Sequence, residues 1–407
     1  MWRRSWPPVE GAEAMLRVHV GVCGIGMGHA ARSSTLIRAM EGLGWRVSVS
    51  SYGDGLDYLR NVGLSPLPSP EVGYGVLPEG KVSIKLTIFR NTLLPIRVAE
   101  QTLTEMSYME DADVVVSDTR GSTVLAAKLL GKPVITILNQ FNVRVSYPRY
   151  RRLVELAEGL AQTVSWMWAK SDQILIADFP PPLTISSRNI SIPKGLTEKI
   201  RFIGPIIEDT GGSPAPEKQE DGRPLVFIPL SGPRYERRVL AERMLRILPA
   251  LSERFRVVMT LGGLEMDVPG LPDGVRVLRW VDDQMRLFQA ADVVVCRSGQ
   301  TTLAKALVNG KPVAMIPIPA HAEQEGNALS VQENGAGIMV REEEVGERLP
   351  KAVEKLVEDE SYRRAALRYR EAFLRLDPVS EALKAVAEAA GKSLSLEKPR
   401  TEVEGGR

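Results

Sequence analysis

Short runs of apolar, β-branched residues recur along the chain, each followed by a small polar turn and then by apolar residues at helical spacing. The first run is Leu16 to Cys23, followed by Gly24-Ile25-Gly26-Met27-Gly28-His29 and a helical pattern from Ala30 to Leu43. Unbroken apolar runs of this length read as strands buried on both faces, and a helix between successive runs makes the strands parallel. Further strands are expected at Arg46–Ser51, Asp113–Ser117, Lys132–Leu138, Ile174–Ala177 and Ile200–Ile203. The alternation then stops. Residues 208 to 223 have no apolar periodicity and are rich in Gly, Pro, Ser and charge, which reads as a linker. It restarts with strands at Leu225–Leu230, Arg256–Leu261, Val275–Leu278 and Val293–Cys296, and with helices at Glu236–Leu251 and Gln284–Ala291. From Val345 to about Ala390 the pattern is helical, broken at Asp377-Pro378, where one helix ends and another is capped.

Two such series, each opening with a strand and a glycine turn, predict an α/β chain of two Rossmann-like domains facing across a cleft. A length of 407 residues with 44% hydrophobic content is enough for two cores. The net charge of +2 argues against a nucleic-acid binder that relies on overall positive charge. Cys23 and Cys296 each end an apolar run without metal-ligand spacing, and are expected as reduced core residues. Residues 1–14 are charged and contain Trp but no continuous apolar segment, so a disordered extension is expected there rather than a signal peptide. No later stretch is apolar for a membrane span, and a cytoplasmic protein is expected.

Candidate chemistry collects where strands run into turns. The stretch from Val293 to Ala328 reads as strand, turn, helix, strand and Pro-rich loop. Its turn, Arg297-Ser298-Gly299-Gln300-Thr301-Thr302, opens a helix whose first N–H groups and dipole favour an anion, most naturally a phosphate. The G-x-G-x-G-H loop differs from the dinucleotide G-x-G-x-x-G, and no acid ends the second strand, so a nicotinamide enzyme is disfavoured. Asp118, Asn139 and Gln140 end two further strands, where either a ligand contact or local turn capping is open to them. Of three histidines, His19 lies within a strand, His29 ends the glycine loop and His321 sits in the Pro-rich loop.

These residues together resemble a known pattern: R-S-G, T-x-x-E-A-L, G-K-P, I-P-x-P, an acidic residue or Gln, Gln, and N-A. Here they are Arg297, Ser298, Gly299, Thr302, Ala306, Leu307, Gly310, Lys311, Pro312, Pro317, Pro319, Glu323, Gln324, Asn327 and Ala328, with Lys305 standing where the pattern has a Glu. The chain thus resembles the nucleotide-sugar glycosyltransferases of the two-domain GT-B fold, and within them family 28, that of the bacterial lipid-linked N-acetylglucosaminyltransferase. The resemblance implies an N-terminal acceptor-binding domain at 15–207 and a linker at 208–223. It implies a donor-binding domain at 224–375 and a helix at 376–391 crossing back to the first domain; the charged tail at 392–407 is expected to be disordered.

It also implies transfer of a hexose or N-acetylhexosamine from a UDP-sugar to an acceptor hydroxyl by inverting displacement, with no cofactor and no metal. On that likeness His29 is the expected base. Ser231, Gly232, Arg297, Ser298, Gly299, Gln300, Thr301 and Thr302 are expected at the diphosphate, and His321, Glu323 and Gln324 at the donor sugar. Trp280, Val281 and Lys305 are expected at the nucleobase and ribose, and Gly26, Gly28, Asp118, Asn139 and Gln140 on the acceptor side. Basic residues among apolar ones in Lys81–Ala99, and Arg144 to Arg152 ahead of Trp166-Met167-Trp168, suit a lipid-linked acceptor at an anionic membrane face. A nucleotide-sugar epimerase of the same fold and a non-catalytic nucleotide-sugar-binding subunit are the competing readings.

Overall fold

The computed structural model describes residues 15–72, 94–141, 165–193, 195–208, 222–281 and 283–394. The basic stretches before residue 94 and between 142 and 164, the extension at 1–14 and most of the linker therefore lie outside the described residues. The first series forms β1 (Arg17–Val22), α1 (Gly28–Gly42), β2 (Arg46–Ser51), α2 (Gly53–Asn61), β3 (Leu67–Pro68), α3 (Leu94–Tyr108), β4 (Val114–Asp118), α4 (Gly121–Leu129), β5 (Val134–Leu138), β6 (Gln173–Ile176) and β7 (Ile200–Phe202). All pairings among these strands are parallel, in the order β3-β2-β1-β4-β5-β6-β7.

The second series forms β8 (Leu225–Pro229), α5 (Arg234–Ser252), β9 (Arg256–Thr260), β10 (Val275–Leu278), α6 (Gln284–Ala290), β11 (Val293–Cys296), α7 (Gln300–Val308), β12 (Val313–Met315), α8 (Ala322–Glu333) and β13 (Gly337–Met339). Three helices follow: α9 (Val345–Glu358), α10 (Glu360–Leu374) and α11 (Pro378–Ala389). The second sheet is also parallel, ordered β10-β9-β8-β11-β12-β13.

Both sheets are doubly wound, so each has a switch point where the strand order reverses, β1 beside β4 and β8 beside β11. Crevices open at the carboxyl ends of strands at such points. The central strands supply uninterrupted buried runs, Val114 to Asp118, Val134 to Leu138 and Leu225 to Pro229, because helices cover both faces. Cys23 and Cys296 are free and buried, as expected of small core residues.

The two cores exchange pieces. Ala382, Leu383, Ala385 and Val386 of α11 pack with Val18, Val20 and Leu36 in the core of the first sheet. Conversely Phe179 and Ile185, which follow β6, are buried with Leu303, Ala328 and Tyr369 beside the second sheet. Phe179 meets the Tyr369 ring edge-on at 5.1 Å.

Candidate active site

The loop from Gly24 to Gly28 leaves β1 at the first switch point, and its glycines serve geometry. Gly26 takes φ +72°, a left-handed conformation open to Gly at no steric cost. At Gly28 a Cβ would lie 2.9 Å from Thr301 Oγ1, so the bare backbone lets α1 approach the start of α7 in the other domain. This loop delivers His29 to the first turn of α1, where the side chain is 18% exposed.

His29 Nδ1 lies 2.9 Å from Asp118 Oδ1 and 3.0 Å from Arg32 Nη2. The two hydrogens on Arg32 Nη2 are taken by Asp118 Oδ1 at 2.5 Å and Thr119 Oγ1 at 3.0 Å. The consistent assignment is therefore Nδ1–H donating to Asp118, which leaves Nε2 as the basic nitrogen. Asp118 also accepts from Arg32 Nε at 2.7 Å and Ser33 Oγ at 2.7 Å. Burial alone would raise the Asp118 pKa, but the Arg32 charge and hydrogen bonds, followed by His29, hold it far below the usual carboxylate range. A permanently ionised carboxylate behind an imidazole fixes its tautomer and stabilises the imidazolium formed on taking a proton. The expectation of Asp118 as an acceptor contact is corrected accordingly: its oxygens are taken by the His29, Arg32, Ser33 and Thr119 side chains.

Across the cleft, α7 begins without a side-chain cap and without an acid in its first turn. Its N-terminus therefore offers backbone N–H groups and a positive dipole end. Thr302 Oγ1 lies 3.3 Å from Ser231 Oγ, so the turn after β8 and the start of α7 face each other, with Gly232 next to Ser231 at φ +98°. Within this cradle two expected contacts, those of Arg297 and Gln300, are redirected. The Arg297 guanidinium is 0% exposed, paired with Glu342 at 2.5 Å and Glu236 at 3.7 Å and donating to the Ile316 and Glu236 carbonyls. It braces the sheet from inside and is not a diphosphate cation. Gln300 donates its side chain to the Ala177 carbonyl of the first domain at 2.8 Å, leaving its backbone for a ligand. Ser298 is buried, its carbonyl accepting from Asn327 at 3.0 Å.

The Pro-rich loop ends at Ala320, whose φ is +62°. Thr119 (φ +57°) and Ala320 are the non-glycine left-handed residues among those described, and both lie in loops of this cleft. His321 caps α8, its Nδ1 accepting from Gln324 N–H at 3.4 Å, and the Gln324 side-chain oxygen accepts from Ile318 N–H at 3.1 Å. Glu323 reaches the opposite domain, where Asn139 Nδ2 donates to its Oε1 at 3.3 Å. Asn189 adds donors to the Glu323 carbonyl and to Asn327 Oδ1. The acceptor-side and sugar-side candidates thus meet across the cleft, with Gln140 half-buried beside them.

Trp280 is 45% exposed at the end of β10, over Gly263, so a plain core role is excluded; Val281 beside it is half-buried. Lys305 is 14% exposed and lies 3.9 Å from Glu208 at the start of the linker, not beside Glu323 or Glu325. Arg32 stands at the last position of a G-x-G-H-x-x-R pattern, Gly26 to Arg32, which marks the place but not its partner; Ser33 was not legible as a site residue, because a Ser on a helix carries no signal of what it faces. Asp54 is another: it accepts from the Gly26 N–H, its carboxyl raised by burial and drawn down by Arg237 of the second domain. Among the described residues no group of three or more His, Cys, Asp or Glu side chains is arranged to hold a metal ion.

With this geometry in place, comparison with known proteins is direct. Residues 16–205 match the model of glycosyl transferase family 1, and residues 237–375 match the glycosyltransferase family 28 C-terminal domain. An uncharacterized glycosyltransferase of Methanosarcina mazei is 27% identical over 406 residues, covering 93% of this chain and 100% of the relative. One from Methanopyrus kandleri is 27% identical, covering 79% of this chain and 91% of its own. The UDP-N-acetylglucosamine–N-acetylmuramyl-(pentapeptide) pyrophosphoryl-undecaprenol N-acetylglucosamine transferase of Lacticaseibacillus casei is 32% identical over 118 residues, 27% of this chain and 32% of that one. Among solved structures, the kitacinnamycin glycotransferase superposes with a TM-score of 0.69 at 18% identity, covering 92% of this chain and 99% of that one. The spinosyn rhamnosyltransferase complexed with thymidine diphosphate gives 0.67 at 17% identity, covering 91% and 100%. At these identities the structures speak for the fold alone.

Two doubly wound sheets with their switch points opposed, and transferase families matched in both halves, make the chain a glycosyltransferase of the GT-B fold. Within that fold its C-terminal half resembles family 28.

Proposed function

We propose that the chain moves a hexose or N-acetylhexosamine from a UDP-sugar to an acceptor hydroxyl, with inversion and without a metal. The observation that carries the reading is the His29 ring held by ionised Asp118 with Nε2 left basic, opposite the uncapped start of α7. The acceptor oxygen attacks the anomeric carbon while Nε2 takes its proton. The bond from that carbon to the diphosphate breaks, and its electron pair leaves with the nucleotide. Developing charge is met by the α7 N–H groups, Thr302 and the Ser231–Gly232 turn, donors fixed before reaction. Glu323 and Gln324 address the sugar hydroxyls, and Trp280 offers an aromatic face to the base.

A lipid-linked acceptor is the finer part of the proposal. Its support is the Lacticaseibacillus relative, whose named substrate is a pyrophosphoryl-undecaprenol, together with exposed Ile96, Leu103, Leu129 and Trp166 on elements covering one face of the first sheet. Lys170 stands 3.9 Å over the Trp166 ring. No helix among the described residues is long and apolar enough to cross a membrane, so contact would be peripheral. A site at the cytoplasmic membrane face follows from that reading.

The test is a panel of UDP- and dTDP-sugars screened by thermal shift, then nucleotide release with candidate acceptors. His29→Ala is expected to leave donor affinity nearly intact and slow transfer by on the order of 10²–10⁴-fold. Unchanged turnover removes His29 from the mechanism, and activity abolished by chelator and restored by Mg²⁺ overturns the metal-free reading. Flotation with anionic liposomes at low salt is expected, and its absence removes the membrane.

A further inference from the structure

Behind the first sheet, on the face away from α1, lies a second charged cluster that the mechanism above does not use. Glu105 of α3, Arg120 after β4 and His19 of β1 are each buried. Arg120 Nη2 lies 3.1 Å from Glu105 Oε1, and His19 Nε2 lies 3.0 Å from Glu105 Oε2. Ser50 and Thr123 donate to Glu105 Oε2 at 3.0 and 3.1 Å, and Arg120 also donates to Ser50 at 3.0 Å and to Ser69. His19 Nδ1 is bonded to Ser48 Oγ at 2.8 Å. Replacing a buried ion pair by apolar side chains of the same volume is often neutral or stabilising, so stability alone does not account for the pair.

Its position offers the explanation. Arg120 is two residues beyond Asp118, and Thr119 between them is left-handed at φ +57°. The kink sends Asp118 to the α1 face of the sheet and Arg120 to the α3 face, so the strained turn is gripped from both sides. The same guanidinium lies 5.5 Å from the centroid of the Tyr52 ring. The Tyr52 carbonyl presses on Gly24, where a Cβ would fall 1.9 Å from it, and Gly24 opens the loop that carries His29. One buried cation therefore sets both members of the His29–Asp118 pair, Asp118 through the chain and His29 through Tyr52 and the loop.

We propose that the Glu105–Arg120 pair is a positioning device for the His29–Asp118 pair. The proposal rests on the reading of His29 as the base, and its test is chosen so that the two can fail separately. Three histidines in the full chain make ring nitrogen resonances tractable by NMR on ¹⁵N-histidine-labelled protein, with His29→Gln assigning the signal. No substrate is needed. Glu105→Gln alone strands a buried guanidinium and can unfold the chain, so the informative variant is Glu105→Gln with Arg120→Met, which removes both charges.

That double variant is expected to melt at or above the parent temperature, yet to lose the Nδ1–H tautomer signature of His29. Transfer should fall at least tenfold while UDP affinity by calorimetry stays within threefold. Ser69→Ala, which removes only one acceptor of Arg120, is expected to move the same resonance part of the way, and it decides the matter if the double variant does not fold. A folded double variant, or failing that Ser69→Ala, with the parent His29 signal overturns the positioning role. A displaced ring with unchanged transfer overturns His29 as the base instead.

Discussion

Lys305 stands where the resemblance expects a carboxylate, and the difference reverses the chemistry of that position. The Glu that the resemblance puts at this position would accept from both ribose hydroxyls, whereas an ammonium has three donors and no acceptor. In the structure it turns to Glu208, which also accepts from the Tyr58 hydroxyl at 3.3 Å. A lost charge-assisted hydrogen bond is worth roughly 1.5–3 kcal/mol. UDP and 2′-deoxy-UDP are therefore expected to bind within about tenfold of each other, about 1.4 kcal/mol, with Lys305→Glu widening the gap. Calorimetric titration is the measurement. A hundredfold preference for the ribonucleotide in the parent protein would rule this out and point to Glu208 as the carboxylate that has taken over the ribose.

The approach of α1 to α7 is the contact between elements on which the site depends. Gly28→Val places a branched side chain where a single Cβ already meets Thr301 Oγ1 at 2.9 Å. The expected result is a wedged cleft, with weaker UDP binding and slower transfer but an unchanged melting temperature, because no core residue is touched. A full-activity Gly28→Val protein would show that the two helix starts separate during the reaction cycle. At this scale the sequence was highly legible: apolar runs and glycine turns located the central strands, and with them the loops that converge on the cleft. What it could not show were partners far apart in the chain. Arg297 stood in a phosphate-like turn, but Glu236 and Glu342, which bury it, lie in helical stretches with no mark distinguishing them from solvated acids. Asp118 read as a strand-end contact because neither the G-x-G-H-x-x-R pattern that ends on Arg32 nor anything at Ser33 says that these side chains turn onto its carboxylate. Periodicity reports which face of an element is buried, not which polar group waits there.

Acid stability follows from the whole arrangement of buried charge. Burial alone would raise the Glu105 carboxyl, but Arg120 and then His19 and Ser50 bring it down to about 2 from an ordinary 4.5. Between those values the unfolded chain binds the extra proton, so this contribution to stability is complete above about pH 4.5 and is lost as the pH falls toward 2. Denaturant titrations at stepped pH are expected to show that limb in the parent and a shallower one in the Glu105→Gln, Arg120→Met protein. Equal slopes would mean that the carboxylate is not held low. The exchange of pieces between the two cores bears on a different matter, how such a chain can be recombined with its relatives. A graft joined only at the linker would give the incoming C-terminal half a foreign Phe179 and Ile185 to bury, and would leave the retained N-terminal half without its own Leu383 and Val386. Crossovers that respect the packing must carry the segment after β6 with the C-terminal half, return to the N-terminal half for β7, and carry α11 with the N-terminal half, so a working chimaera of this chain needs four junctions where its two domains suggest one.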